Sequence, residues 1–294
     1  MTSLNFRIRR SGLNKKSSLY GAIIGDIAGS RFEFKPHRDK DFKLFYSLSG
    51  IGYSTDQTVY DLSNSSHFTD DTVITIAVAN SLIEANGKYD NLNELVVKNL
   101  KYFGKEYPYR GYGYKFQQWL LKDTVEPYNS LGNGSAMRIS AVPCCAKNLD
   151  EVKKLSKMVS EVTHNHPEGI KGAEAVAVAI WLALHNYTKE DIIKEIEENY
   201  YPLNFDYEEL KQNYKFNETC PGSVPESIFA FKISNSYEDT IRTAISMGGD
   251  ADTMACISGA IAGAYYGVPD ELIEQVQKFL PPEFKEIINK FENM

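Results

Sequence analysis

The sequence lacks any apolar run of membrane-spanning length and has only four cysteines in 294 residues. A transmembrane helix needs about 20 consecutive apolar residues, so the sequence predicts no membrane-embedded segment. Cys144 and Cys145 are adjacent, and neither they nor Cys220 and Cys256 belong to a CxxC pair. This spacing argues against a structural zinc site and against a disulfide framework. It favours a reduced, cytoplasmic setting.

The sequence also has no excess of positive charge, and its formal net charge is -7. Strong nucleic-acid binding is therefore not expected, since it depends on basic groups that neutralise phosphates. The local exception is the stretch 1–17, which has five basic residues and no acid. It lacks the apolar core of a secretory signal, and a frayed basic arm is favoured over a transit peptide. We therefore expect a basic N-terminal arm over 1–17 and a single domain over 18–294.

Strand-like alternation is scarce, and the stretch 42–46 is the weak exception. Most apolar residues recur with the three- and four-residue spacing of amphipathic or buried helices. The predicted helices cover 19–29, 73–85, 92–103, 170–185, 189–199, 226–233, 237–246, 253–266, 271–279 and 282–291. The polar and aromatic segment 200–225 is expected to be a surface excursion. No Gly/Ser-rich or Pro-rich linker divides the chain, so the pattern predicts one compact, all-α domain.

The predicted helix 253–266 contains many small residues, among them Gly259 and Gly263. A glycine costs up to about 1 kcal/mol in a helix interior. Close approach of a neighbouring helix would offset that cost, so we expect backbone packing there.

Thr69, Asp70 and Asp71 stand directly before the apolar helix 73–85. A threonine followed by acids at a helix start is typical of an N-cap with favourable charges near the helix dipole. For this cluster alone, capping is the better interpretation.

Asp250, Asp252 and Thr253 form a second such cluster before the helix 253–266. Gly248 and Gly249 precede it and allow a sharp turn near a ligand. Two clusters of this kind in one chain are harder to explain as caps alone, so a shared site is the better hypothesis.

Carboxylates and threonine hydroxyls are oxygen ligands suited to hard cations, Mg²⁺ above all, with Mn²⁺ or Ca²⁺ possible. Four carboxylates facing one pocket would repel each other, and two ions would neutralise them. Glu33 follows the first helix and could reach the same pocket. Asp26 lies inside that apolar helix; hydrogen bonding to a helix N-terminus is favoured for it over a place in the site.

Three polar segments are candidates for contacting a bound ligand. Backbone N–H groups at Asn133, Gly134 and Ser135 could face an anion, although a plain turn is the commoner explanation. His164 and His166 form a His-x-His pair, but no third nitrogen or sulfur ligand is near in sequence, so zinc is not predicted. The loop 107–113, with Tyr112, could stack on a nucleobase or be packed by its own aromatic rings.

Taken together, these segments resemble the ADP-ribosylglycohydrolase family, which includes the dinitrogenase-reductase-activating glycohydrolase and the ADP-ribosyl-acceptor hydrolases. The likeness is closest to bacterial members, covers nearly the whole chain and follows the family's order. Its most specific parts are the paired TDD and GGDADT motifs with GNGSAMR. The matching segments are GAIIGDIAGSRFEF (21–34), FTDDTVITIAVA (68–79), YPYRGYGYKFQQW (107–119), GNGSAMRISAVP (132–143), THNHPEGIKGAEA (163–175), SVPESIFAF (223–231) and SMGGDADTMACISGAIAGAYYG (246–267).

The resemblance implies an orthogonal all-α helical bundle with a dinuclear Mg²⁺ centre, for which Mn²⁺ is an alternative. The metal ligands carried over by matched position are Thr69, Asp70, Asp71, Asp250, Asp252, Thr253 and Glu33, with Asp252 as the bridge. The substrate-binding residues carried over are Asn133, Gly134, Ser135, Met137 and His164, and Tyr112 is added from the aromatic loop.

The implied reaction is hydrolysis of an N- or O-glycosidic bond between ADP-ribose and a modified acceptor, with release of ADP-ribose. An ADP-ribosylated protein is the expected partner, and arginine linkage is slightly favoured over serine. Asp71 and Glu33 are both candidates for the general acid/base. A non-catalytic ADP-ribose-binding or structural relative and a metal-dependent phosphoesterase are the alternatives. We expect the segments 104–130 and 200–222 to form the pocket rim that selects the acceptor.

Overall fold

The computed structural model describes residues 16–47, 64–123 and 125–294. Within these residues the chain is helical; it has one isolated β-bridge, between Gly132 and Thr219, and no β-strand. The prediction of an all-α fold is therefore confirmed. The first helix begins at Lys16, and the rest of the predicted basic arm, 1–15, lies outside the described residues.

Fourteen α-helices and three short 3₁₀ helices form the described part of the chain. The 3₁₀ helices cover Ser30–Phe32, Val142–Cys145 and Gln277–Phe279. The α-helices are α1 (Lys16–Gly29), α2 (Asp70–Ala85), α3 (Leu92–Glu106), α4 (Tyr114–Leu121), α5 (Gly134–Met137), α6 (Leu149–Glu161), α7 (Pro167–Leu184), α8 (Lys189–Asn199), α9 (Tyr207–Asn213), α10 (Cys220–Ile233), α11 (Tyr237–Ser246), α12 (Ala251–Tyr266), α13 (Asp270–Val276) and α14 (Pro282–Glu292). None of these helices is both long enough and apolar enough to cross a bilayer.

Two expectations about secondary structure were wrong. The stretch 42–46 forms bends and irregular backbone, not a strand. The segment 200–225 is not simply a surface excursion, because it contains α9 and the start of α10, and Tyr201 and Leu203 are buried. Helix α10 begins at Cys220, ahead of the predicted 226, with Pro225 inside it. A proline lacks one backbone donor, and here that loss does not stop the helix.

Helices α1 and α12 meet backbone to backbone through glycines. A Cβ atom added at Gly21 would lie 2.2 Å from the Gly259 carbonyl oxygen, and one at Gly25 would lie 2.0 Å from the Ala255 carbonyl oxygen. Only glycine has no side-chain atom to fill this space. The expected backbone packing of α12 is confirmed, and it holds the residues of α1 next to the start of α12.

Candidate active site

The first acidic helix start, at α2, is capped and built around a buried carboxylate from α1. Thr69 is the N-cap, and its hydroxyl oxygen accepts a hydrogen bond from the Asp71 N–H. The Asp26 carboxylate accepts from the Thr69 hydroxyl at 2.7 Å and from the backbone N–H groups of Thr69 and Thr72 at 3.0 and 3.1 Å. The expected hydrogen bonding of Asp26 to a helix N-terminus is therefore present, and it does not keep Asp26 out of the site, because a carboxylate oxygen of Asp26 also lies near those of Asp71 and Asp252.

The second acidic helix start, at α12, has no side-chain cap. Asp250 is the N-cap residue, but its side chain makes no capping hydrogen bond. Instead its carboxylate accepts from the Asn133 side-chain amide at 2.7 Å. Gly248 and Gly249 both have a φ of about +75°, which lets the chain turn sharply into the helix.

The two starts meet through their side chains. The Thr253 hydroxyl donates to the Asp71 carboxylate at 3.2 Å. Carboxylate oxygens of Asp26, Asp71 and Asp252 lie within 4.8 Å of one another, and so do those of Glu33, Asp250 and Asp252. Asp252 thus belongs to both groups of acids.

Glu33, Asp71 and Asp252 are partly or fully buried beside other carboxylates, so the ionised form of each is unfavourable. Burial raises the pKa of Asp71 and of Asp252 well above the ordinary range, and neighbouring carboxylates raise both further. Burial and the charges of Asp250, Asp70 and Asp26 raise the pKa of Glu33 to about 8. Crowding of like charges in a poorly solvated place has this effect, and a cation between the carboxylates would reverse it.

A cavity of about 490 Å³ opens above the acids. Most of the predicted site residues line it, and the structure brings them together from five separate segments. The lining residues among those predicted are Glu33, Asp70, Asp71, Asn133, Gly134, Met137, His164, Asp250, Asp252 and Thr253. Thr69, Ser135 and Tyr112 are not part of this lining.

Ser135 and Tyr112 lie behind the cavity wall. The Ser135 hydroxyl donates to the Gly169 carbonyl at 2.7 Å. The Tyr112 hydroxyl donates to the Tyr107 carbonyl at 2.9 Å, and its ring stacks on Phe116 with 5.5 Å between centroids. Tyr112 is therefore packed within its own loop, contrary to its expected place at the pocket mouth. Tyr114, which is 74 % exposed, lines the cavity instead.

The two histidines of the His-x-His pair have different tasks. His166 is the N-cap of α7, where its Nδ1 accepts from the Glu168 N–H at 3.1 Å. His164 is buried, lines the cavity and pairs through Nδ1 with the Thr163 hydroxyl at 2.8 Å. One histidine of the pair therefore caps a helix, and the other forms part of the cavity wall.

Several lining residues were not singled out from the sequence. They belong to the two segments expected at the rim, 104–130 and 200–222, and to the end of the glycine-rich motif. These residues are Tyr114, Lys115, Phe116, Tyr128, Asn129, Ser130, Phe216, Glu218 and Arg138. Arg138 could have been noticed as the one charged residue in the stretch 134–143, which is otherwise uncharged and mostly small or apolar.

The chain is similar to known proteins along almost its whole length. It is 28% identical to ADP-ribosylhydrolase ARH3 of Gallus gallus over 94% of this chain and 89% of that protein. It is 26% identical to ADP-ribosylarginine hydrolase Tri1 of Pseudomonas putida (strain GB-1), over 89% of this chain and 73% of that protein.

The fold matches a solved structure described as an ADP-ribosylglycohydrolase-related protein complex. The TM-score is 0.69 at 19% identity, over 96% of this chain and 98% of that one. The sequence model of the ADP-ribosylglycohydrolase family matches residues 15–293. With its paired acidic helix starts and the cavity above them, the chain belongs to the ADP-ribosylglycohydrolase family.

Proposed function

We propose that this enzyme is a metal-dependent hydrolase that cleaves the glycosidic bond between ADP-ribose and a modified protein side chain, releasing ADP-ribose. The observation that carries the proposal is the pair of acid groups joined by Asp252 at the base of the cavity. The two groups would hold two divalent ions, and Asp252, which belongs to both groups, would be a ligand they share.

The residues fit such a centre in charge and in ligand type. One oxygen of Asp71, Oδ1, is buried and has no hydrogen-bond partner within the described ranges of the chain. An unpartnered buried carboxylate oxygen is costly, and a cation would give it a partner. Every donor in the two groups is a carboxylate oxygen, which favours Mg²⁺, with Mn²⁺ as the alternative. Asp70 and Thr253 line the same cavity and are proposed as further ligands, as is Thr69 beneath them.

Bound divalent ions would supply charge that binds the hydroxyls of the ribose and lowers the pKa of a water beside the anomeric carbon. Glu33 lies at the cavity wall and is only partly buried, whereas Asp71 is almost fully buried. We assign Glu33 to protonating the leaving group, because it has the freer access. Asp71 is assigned to orienting the water. Two carboxylates with separate roles are the usual arrangement in glycoside hydrolysis.

The remaining lining residues would hold the rest of ADP-ribose. Asn133, Gly134, Met137 and His164 form one stretch of the wall, and the phosphates are proposed to lie along it. Arginine is the proposed acceptor, slightly ahead of serine. The name of the Pseudomonas putida relative, an ADP-ribosylarginine hydrolase, supports that order.

The test is a panel of arginine- and serine-linked ADP-ribosylated proteins, incubated with Mg²⁺, with Mn²⁺ or with a chelator. We expect release of free ADP-ribose with either metal, more from the arginine linkage, and none with the chelator. Release that survives the chelator would contradict metal dependence. Tight ADP-ribose binding without turnover on either linkage would identify a non-catalytic member of the fold.

A further inference from the structure

A buried arginine, Arg138, lies beside the cavity, and within the described part of the chain its hydrogen-bond partners include no carboxylate. Arg138 is 0 % exposed, and its Nη2 donates to the Val159 and Ser160 carbonyls at 2.9 and 3.1 Å and to the Thr163 hydroxyl at 2.9 Å. Its Nε and Nη1 are buried and have no hydrogen-bond partner among the described residues. Burial lowers the pKa of Arg138 to about 10, so it stays charged at neutral pH.

The third contact of Arg138 leads on to the cavity. The Thr163 hydroxyl oxygen accepts a hydrogen bond from Arg138 and lies 2.8 Å from Nδ1 of His164. An arginine can only donate hydrogen bonds, and a hydroxyl has a single proton to give. The Tyr128 phenol also hydrogen-bonds to this hydroxyl. With one lone pair of Thr163 used by Arg138 and the other by the phenol proton of Tyr128, the Thr163 proton points at Nδ1.

The other ring nitrogen of His164, Nε2, is the one that can bind a ligand in the cavity. Its Nε2 stands against the glycine-rich loop, where a Cβ atom at Gly134 would lie 3.2 Å away and one at Gly132 would lie 3.5 Å away. If Nδ1 accepts, Nε2 carries the proton, because a neutral imidazole has one donor and one acceptor. Burial and the charge of Arg138 lower the pKa of His164 well below its usual value, which keeps the ring neutral.

We propose that Arg138 and Thr163 are positioning residues that fix His164 in a single tautomer, with Nδ1 as acceptor and Nε2–H as a donor facing the cavity. The acceptor of that proton is a phosphate oxygen of ADP-ribose, and this part rests on the proposed function. The tautomer itself does not depend on any ligand.

Tyr128 is the other titratable side chain that faces this pair. Its ring lies 5.9 Å from the His164 ring, and burial raises its pKa to about 12, so it is neutral under the same conditions. Among the described residues, Arg138 is the charged group that lowers the pKa of His164.

The experiment uses Thr163→Val, which removes the hydroxyl and keeps the side-chain shape, and Thr163→Ser, which restores it. Both leave Arg138 its two carbonyl partners, so the fold is expected to survive. Thr240→Val is the matched control, since it removes a buried threonine hydroxyl that donates to the Ser236 carbonyl at 2.8 Å on α11. The measurements are ¹⁵N spectra of the labelled histidine rings and ADP-ribose affinity by calorimetry.

In the ligand-free wild-type protein we expect a pyridine-type Nδ1 and a pyrrole-type Nε2 at His164 between about pH 6 and 8. Thr163→Val should redistribute the proton between the nitrogens and weaken ADP-ribose binding about 3- to 10-fold, the value of one neutral hydrogen bond. Thr163→Ser and Thr240→Val should bind as the wild type does.

A pyrrole-type Nδ1 in the wild-type protein would overturn the proposal, and so would unchanged affinity in Thr163→Val. Failure of the proposed function gives a different result. In that case the expected tautomer is observed in the free protein, while ADP-ribose does not bind to the wild type.

Discussion

The helix starts of α2 and α12 have similar acidic sequences but are stabilised differently. At α2, Thr69 caps the helix, and Asp26 of α1 accepts hydrogen bonds from its first N–H groups. At α12, Asp250 makes no cap, and its carboxylate is held by Asn133 across the cavity wall. Both starts therefore direct acids to the site, but only the first is also supported as a helix terminus by a side-chain cap.

This difference shows why an acidic helix start is ambiguous as a sequence pattern. Capping satisfies backbone donors and contributes to stability, whereas acids that gather without a cation oppose it. One chain contains both cases, joined by the hydrogen bond from Thr253 to Asp71. Substitutions should therefore separate stability from activity, and the predictions follow in order of expected effect.

The largest effect should come from Asp252, the residue shared by both acid groups. Asp252→Asn should lower kcat/KM for ADP-ribosylated protein about 100- to 1000-fold, because it removes charge that holds the proposed metals. Its melting temperature should stay close to that of the wild type. Asp270→Asn, at an exposed first-turn acid of α13, is the control. Normal hydrolysis by Asp252→Asn would refute the site assignment.

The next effect should come from the glycine contact that brings the two starts together. In Gly25→Ala the new Cβ would lie 2.0 Å from the Ala255 carbonyl oxygen, so the helices must separate. We expect a loss of about 3 kcal/mol in the free energy of unfolding, measured in urea. Gly113→Ala is the control, because no atom lies within 4 Å of its Cβ position and its φ is -58°. Equal stability of the two variants would contradict the close packing.

A smaller effect should distinguish the capped start from the uncapped one. Thr69→Val removes a cap and the hydrogen bond to Asp26, so in metal-free protein it should cost about 2 kcal/mol or more. Asp250→Asn removes no cap and one crowded charge, so it should leave stability unchanged or raise it. Thr188→Val, which removes the cap of α8 and a hydroxyl hydrogen bond to the exposed Asp191, provides the reference value for a capping threonine at the surface. Equal losses of stability in Thr69→Val and Asp250→Asn would show that the two helix starts are stabilised in the same way.

The smallest effect concerns Glu226, a buried carboxyl that belongs to neither acid group. Burial raises its pKa to about 7, and its Oε2 has no hydrogen-bond partner among the residues that the structure describes. A raised folded-state pKa gives stability that is complete below the unfolded pKa and is lost as pH rises through the folded value. At pH 8 the free energy of unfolding of Glu226→Gln should therefore exceed that of the wild type by about 1 kcal/mol.

Near pH 4 the Glu226→Gln variant and the wild type should be alike, since the wild-type carboxyl is then protonated in both states. Thermal melts across this range, with Mg²⁺ and with chelator, test the point. A stability difference that depends on Mg²⁺ would connect Glu226 to the metal site.

Much of the fold was readable from apolar periodicity, and the exceptions have physical reasons. Helix α6 was missed because only one narrow face of it, with Val152, Leu155 and Val159, is apolar and buried. The start of α10 was placed too late because Pro225 suggested a boundary that tertiary packing overrides. In the site, Tyr112 was proposed and Tyr114 was not considered, since the spacing of aromatic residues around a loop gives no sign of which ring faces outward.

The sequence by itself determined the helical class, the family and the set of acids, because these depend on residue type and local spacing. Only the tertiary structure decided which acids lie together in each of the two groups. The glycine contact between α1 and α12 places Asp26 and Asp252 within one group, although they are far apart in the chain. Likewise, Arg138 reaches His164 through Thr163 only in the folded chain. Hydrogen bonds and charge repulsion act over a few ångströms of space, and distance along a sequence does not report them.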